Sequence, residues 1–325
     1  MLFRSTSADD RFAIFSSNDA SAFGFSDSAP TASDLFAVNL SDGTIRLISR
    51  AGAGATGTTS GQSVGFEQIV GNYVYFNAND ATKLGFSSDG DTSKADLFRY
   101  NLNTGAVELL SRTTTSATAA LNAAYQGGSL TASLDGRYVA FVVDLSNTNG
   151  GFTVGISGSA LMMLDTLTGA LRMLNASNGN GTNLSYAAWS GIEDQVSNPR
   201  YFTPDSKTFV WQTSYSNSIA IFNKSVGPNV DGQYGSVVLA LDLSGGLAAA
   251  GNTQLNRVLS HTANGVDQIA PSVNLLGVSA DSRLAFFSAG NASAFGNDAV
   301  AFSDSNTSAN DIIAVDLTTR RLELV

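Results

Sequence analysis

The chain repeats itself, and that constrains its fold more than any other feature. Ser7–Phe15 reads SADDRFAIF, Ser133–Phe141 reads SLDGRYVAF, Thr203–Trp211 reads TPDSKTFVW and Ser279–Phe287 reads SADSRLAFF. A degenerate copy, Val70–Phe76 (VGNYVYF), keeps the apolar run and loses the acidic turn. Each copy is a tight polar turn feeding a short β-prone segment. A second segment follows at a distance: DLFAVNL (Asp34–Leu40), DLFRYNL (Asp96–Leu102), LMMLD (Leu161–Asp165), VVLALDL (Val237–Leu243) and DIIAVDL (Asp311–Leu317). After another turn comes a third: IRLIS (Ile45–Ser49), VELLS (Val107–Ser111), LRML (Leu171–Leu174), RVLS (Arg257–Ser260) and LELV (Leu322–Val325). A less regular strand precedes each acidic turn, as in Leu130-Thr131-Ala132 or Val273–Leu276.

Four strands per copy and five copies of about 65 residues make an all-β chain, expected as a five-bladed β-propeller with four antiparallel strands per blade. The anchors Phe12, Tyr73, Tyr138, Phe209 and Leu284 stand 61, 65, 71 and 75 residues apart, which leaves no room for a further blade of roughly 40 residues. The expected blades are residues 1–50, 51–113, 114–177, 178–262 and 263–325 of one domain, with closure favoured because an open arc leaves unpaired edges. The turns resemble those of the TolB-like (PD40, WD40-like) propeller family, whose pattern is Ser-Pro-Asp-Gly-Lys/Arg before an aliphatic or aromatic strand. Ser133–Phe141 comes nearest, with Leu134 for the proline, while Pro204 retains it. The resemblance spans the chain and implies a structural repeat of the kind found in large secreted or surface proteins of bacteria. It implies little about function, since one fold hosts many.

The spare residues are concentrated. A minimal blade needs roughly 40–45 residues, and the excess lies between second and third strands: about 16–33, 77–95, 144–159, 213–236 and 288–310. Binding sites favour loops held by a rigid scaffold, so that loop face is the expected site. Three loops share wording, ASAFG at Ala20 and Ala292 and ATKLG at Ala81. Their aspartates fall seven residues before the one opening the third strand: Asp27/Asp34, Asp89/Asp96 and Asp304/Asp311, with Asp91 added in the second loop. Calcium takes six to eight oxygens from carboxylates and carbonyls, so these seven residues are candidate calcium ligands. The competing reading is that Asp and Ser cap turns through their own backbone. The loop phenylalanines are expected as buried anchors.

Composition narrows the rest. Seventeen Lys and Arg against 27 Asp and Glu give a net charge of −10, which disfavours nucleic acid. The acids comprise 23 Asp and only 4 Glu, suited to turns rather than long helices. There is no Cys, and the single histidine, His261, is expected at a surface or turn. No run approaches the ~18 apolar residues that span a bilayer, and nothing near Met1 resembles a signal peptide, since Arg4, Asp9, Asp10 and Arg11 interrupt it. Either the chain is cytoplasmic or it is a piece of a longer exported protein, and the second is expected: secreted, on the cell surface or in the periplasm.

The enzyme case is thin. Glu108 and Glu323 hold equivalent strand positions, which marks them as structural; Glu193-Asp194 is the one acidic pair in an unusual place. Trp189, Tyr186 and Tyr215 make the third and fourth copies locally aromatic, and aromatic rings stack on sugars and peptides. The expected function is a non-catalytic module recognising a glycan, peptide or partner protein through the loop face, with Tyr186, Trp189, Glu193, Asp194 and Tyr215 as candidate contacts. The alternatives are a structural spacer or assembly block of a surface layer, and a polysaccharide-active hydrolase using paired carboxylates.

Overall fold

The computed structural model describes residues 1–52, 57, 59–145, 151–154, 158–174, 183–184, 201–215, 235–247, 257–263, 265–269, 273–298, 300–305 and 309–325. The chain divides into two compact units, Met1–Phe152 and Thr153–Val325, and the division falls inside the third repeat. Among the described residues, short 3-10 turns are the only helical pieces, and no helix is long and apolar enough to cross a membrane.

In the first unit, β1 (Leu2–Thr6), β2 (Phe12–Ser17), β3 (Asp34–Asn39) and β4 (Ile45–Leu47) form an antiparallel meander. The arrangement recurs as β5 (Val64–Val70), β6 (Tyr73–Ala78), β7 (Asp96–Asn101) and β8 (Val107–Leu109). Two short strands, β9 (Ala124–Tyr125) and β10 (Thr131–Ala132), then pair with β11 (Tyr138–Leu145).

The second unit opens with β12 (Thr153–Val154), β13 (Gly158–Asp165), β14 (Leu171–Met173) and β15 (Asn183–Leu184); β13 pairs with β14 antiparallel and β12 with β15 parallel. A third complete meander follows in β16 (Tyr201–Phe202), β17 (Thr208–Tyr215), β18 (Gly235–Asp242) and β19 (Arg257–Val258). After the ribbon β20 (His261–Thr262) and β21 (Gly265–Ile269) come β22 (Val273–Val278) and β23 (Leu284–Ala289). The small ribbon β24 (Gly296–Asn297) and β25 (Val300–Ala301) sits in the long loop before β26 (Asp311–Asp316) and β27 (Leu322–Leu324). Strands β22, β23, β26 and β27 complete the fourth four-stranded sheet.

The acidic turn explains where four of the five repeats fold back. Asp9, Asp135, Asp205 and Asp281 each accept a bond from the hydroxyl two residues earlier (Ser7, Ser133, Thr203, Ser279) and from the backbone N–H two residues later. The residue after each aspartate turns left-handed: Asp10 at φ +55°, Gly136 at +70°, Ser206 at +59° and Ser282 at +63°. Only glycine adopts that conformation without a steric cost, so three of the four turns carry local strain.

Register makes the repeats superposable. Ala37 lies opposite Arg46, Arg99 opposite Glu108, Ala240 opposite Arg257 and Ala314 opposite Glu323. Alternation along each strand then creates two apolar faces per sheet. One face of the first sheet, Phe12, Ile14, Leu35 and Ala37, packs with Val74, Phe76, Phe98 and Tyr100 of the second. In the second unit Val210, Val238 and Ala240 pack with Phe287, Ile313 and Val315.

His261 departs from expectation. It lies in β20, is buried, and directs its two ring nitrogens at the carbonyl oxygens of Thr262 (3.0 Å) and Arg320 (2.7 Å). A turn residue becomes a core one because the following ribbon folds it under the Arg320 turn.

Candidate functional site

The long loops begin where the sequence places them, after Ser17, Ala78 and Ala289, and end at Asp34, Asp96 and Asp311. Their aromatic residues are anchors. Phe23 and Phe25 lie 5.2 and 5.7 Å from the ring of Phe36, Phe86 lies 5.5 Å from Phe98, and Phe295 lies 5.5 Å from Phe287. Each ring closes its loop over the sheet and removes apolar surface from water.

Side-chain oxygens of Asp and Asn then tie the loop backbone together in three successive ways. At the head, Asp19 accepts from the Ala22 N–H, Asp80 from the Thr82 N–H, and Asn291 from the Ser293 N–H, starting a short 3-10 turn in each loop. Midway, Asp27, Asp89 and Asp304 reach back to the start of that turn, accepting from the N–H groups of Ala20 (3.2 Å), Ala81 (2.9 Å) and Ala292 (3.1 Å). Asp91 extends the second loop, accepting from the Ser93 N–H and pairing with Lys94 at 3.2 Å. Those contacts hold its carboxyl below the usual range, chiefly through the Ser93 hydroxyl.

The third set is buried. Asp34 and Asp96 open the third strand of their repeats and accept bonds from the hydroxyls of Ser49 (2.8 Å) and Ser111 (2.7 Å). The same hydroxyls accept from the N–H groups of Leu35 and Leu97, so one serine joins the strand's backbone to its carboxyl. Burial drives the Asp96 carboxyl up to about 8; the Ser111 bond opposes the rise, while the charge of Asp89 and a shared hydrogen bond with it add to it. Burial likewise raises Asp34 to about 6, with Ser49 opposing and Asp27 adding to the shift. The raised carboxyl of Asp96 favours its protonated form at neutral pH. Asp311 has one oxygen, Oδ2, with no partner among the described residues.

Six of the seven aspartates expected as calcium ligands make the following contacts. Asp27, Asp89, Asp91 and Asp304 bond backbone N–H groups, Asp34 and Asp96 take serine hydroxyls, and the residues that crowd Asp96 are other acids. Among the described residues no group of three or more acidic or histidine side chains is placed to hold a metal ion. The candidate contacts Tyr186, Trp189, Glu193 and Asp194 lie outside the described residues, and Tyr215 is placed only by its backbone, at the end of β17 opposite Gly235.

Sequence reasoning missed a line of arginines. Arg46 donates to the Leu102 carbonyl (2.7 Å) and Arg257 to the Leu317 carbonyl (3.1 Å), each reaching from one repeat to the turn of the next. In the second repeat Glu108 stands at the arginine position and holds Arg99 (2.8 Å), which bonds the Gly136 carbonyl of the following repeat and lies 4.2 Å from the Tyr73 ring. The recurrence of Arg46 and Arg257 at one register position was the available signal.

No family model matches the chain, and no curated protein matches it. Solved structures do. The chain aligns over 99% of its length with 26% of the tricorn protease, at 12% identity and a TM-score of 0.43. It aligns over its full length with 70% of the β-propeller domain of the Trilobed protease from Pyrococcus furiosus, at 9% identity and a TM-score of 0.43. It aligns over 81% with 32% of an acylaminoacyl peptidase from Pyrococcus horikoshii, at 10% identity and a TM-score of 0.38. The chain spans only about a quarter to a third of the first peptidases it matches. The expected function is corrected by these matches: the structures named here are two peptidases and a peptidase propeller, and the expectation of a surface recognition module for glycans is not carried forward.

Proposed function

We propose that the chain is a non-catalytic scaffold module of propeller type, in which each four-stranded repeat is a blade and five is the blade count. The observation that supports this reading is the twice-built latch of Asp34 with Ser49 and Asp96 with Ser111. Residues that a reaction would leave aimed at substrate are here spent on fastening strand to loop. A carboxyl raised by burial is a common mark of a catalytic acid, but this one is fully buried, bonded to serine and duplicated in the neighbouring repeat.

The specific setting is that of a module accompanying a peptidase domain, as the names of the matched structures suggest, with hydrolysis carried out elsewhere. Incubating the purified chain with a panel of fluorogenic peptides tests the first part. The expected result is no turnover above buffer. Turnover that disappears in Asp96→Asn would overturn the scaffold reading.

A further inference from the structure

Arg50 and His261 hold one position in two repeats. Each backbone N–H bonds the carbonyl two residues back, at Ile48 and at Leu259. Each side chain reaches the carbonyl of a left-handed turn residue in the next repeat, Gly105 at φ +73° and Arg320 at φ +62°. The buried His261 sets both of its ring nitrogens against carbonyls. Arg50 uses one nitrogen: its Nη2 donates to the Gly105 carbonyl, while its Nε is buried without a partner. Arg46, four residues earlier, likewise uses one, donating from Nη1 to the Leu102 carbonyl. Two guanidiniums therefore keep donors that the seam between the first and second repeats does not take up.

Those two arginines line one cavity of about 370 Å³, and every wall of it belongs to the first two repeats, inside the first compact unit. Phe25, Ile45 and Leu47 supply its apolar side. Tyr100 supplies the other, with its ring 5.9 Å from the Arg50 guanidinium carbon. A methyl group at Gly105 would lie 3.4 Å from the Tyr100 hydroxyl oxygen and 3.9 Å from Nη1 of Arg50. Glycine at this turn thus leaves open the space that the hydroxyl and the guanidinium share.

The charge in this cavity is not balanced from within. Among the described residues neither Arg46 nor Arg50 forms an ion pair. Asp42, in the preceding turn, accepts from the Thr44 N–H at 2.8 Å and from the Asn39 amide at 3.2 Å. The second repeat shows the alternative: Glu108 stands at the position of Arg46 and holds Arg99 at 2.8 Å. Guanidinium groups bond carboxylates through two parallel N–H donors. A mostly apolar cleft of a few hundred Å³ with a few convergent polar groups is the form small-molecule sites take.

We propose that this cavity binds a small organic carboxylate. Its carboxylate takes the remaining donors of Arg46 and Arg50 and the Tyr100 hydroxyl, and its apolar remainder lies against Phe25, Ile45 and Leu47. The apolar wall selects an organic acid over an inorganic anion, which would leave that wall uncovered. The inference is independent of the scaffold reading, which concerns the aspartate latches.

An NMR titration of the arginine Nε–H signals tests it, with phenylacetate, phenylacetamide and inorganic phosphate as probes at matched ionic strength. Phenylacetate is expected to shift the Arg46 and Arg50 signals saturably, and the other two probes are expected to leave them in place. Arg50→Gln keeps an amide donor for the Gly105 carbonyl and removes the charge. It is expected to weaken phenylacetate binding, followed at Arg46, by about tenfold or more. Tyr100→Phe removes one hydroxyl and is expected to weaken binding by less; it decides the matter if thermal unfolding shows that Arg50→Gln does not fold. Absence of a saturable shift, an equal response to phenylacetamide, phosphate binding as tight as phenylacetate, or folded variants that bind as the parent does would each overturn the proposal.

Discussion

The hydroxyl of Ser111 donates to the buried carboxyl of Asp96 at 2.7 Å while accepting the N–H of Leu97, so a single side chain fixes both the acid and the strand it begins. Removing that hydroxyl leaves a buried carboxyl oxygen and a buried N–H without partners. Ser111→Ala is expected to cost about 1–3 kcal/mol, read as a lower midpoint in urea with an unchanged slope.

The Asp96 carboxyl sits near 8 when folded against an ordinary value of 3.8. The folded state therefore holds this proton more tightly than the unfolded one. Its stabilising contribution is complete below the ordinary carboxylate range and is lost as pH rises through about 8. Asp96→Asn keeps an acceptor for Ser111 and has no proton to lose. Urea unfolding between these limits is expected to show a falling stability in the parent and a flatter profile in the variant. Equal slopes would contradict the raised value.

Asp89 accepts from the N–H groups of both Ala81 and Asp91. Asp89→Ala is expected to release the loop ahead of β7 without melting the sheet. Hydrogen exchange should rise at Ala81 and Asp91 and stay unchanged at Phe76 and Phe98. A uniform rise across the first unit would mean that the loop is not separately fastened.

The left-handed turn positions give a paired test. At Gly136 a methyl group would sit 2.6 Å from Cδ2 of Tyr73 at φ +70°. Gly136→Ala is expected to destabilise by about 1–3 kcal/mol through overpacking. Asp10 has the same conformation, at φ +55°, with an exposed side chain. Asp10→Gly is expected to stabilise by about 0.5–1 kcal/mol. The two midpoints should move in opposite directions.

Arg99 is buried, with its charge held by Glu108 and by the Gly136 carbonyl. Arg99→Met strands that carbonyl and opens the seam to the third repeat, at an expected cost of about 3 kcal/mol. Arg46→Met, at a half-buried seam, should cost less.

The strands were legible because their apolar runs are short, β-branched or aromatic, and punctuated by turns with a local mechanism. The acidic turns around Asp9, Asp135, Asp205 and Asp281 close through bonds two residues away, so their geometry is contained in the sequence that spells them. The long loops were legible for the same reason: Phe23, Leu84 and Phe295 each fall six residues after the end of the preceding strand. The part the loop aspartates play was not legible in the same way, since a carboxylate that will cap an N–H and one that will bind a cation are the same residue until the backbone around it is placed.

What the sequence determined by itself was therefore local: all-β repeats, their register, and the loops between second and third strands. The tertiary structure decided what lies across distance. It paired Asp96 with Ser111 and raised its carboxyl by burial, sank His261 beneath the Arg320 turn, and sent Arg46 and Arg257 to the carbonyls of neighbouring repeats. Spacing along a chain records which residues recur. Burial, and the charge state and contacts that follow from it, depend on which surfaces a fold brings together.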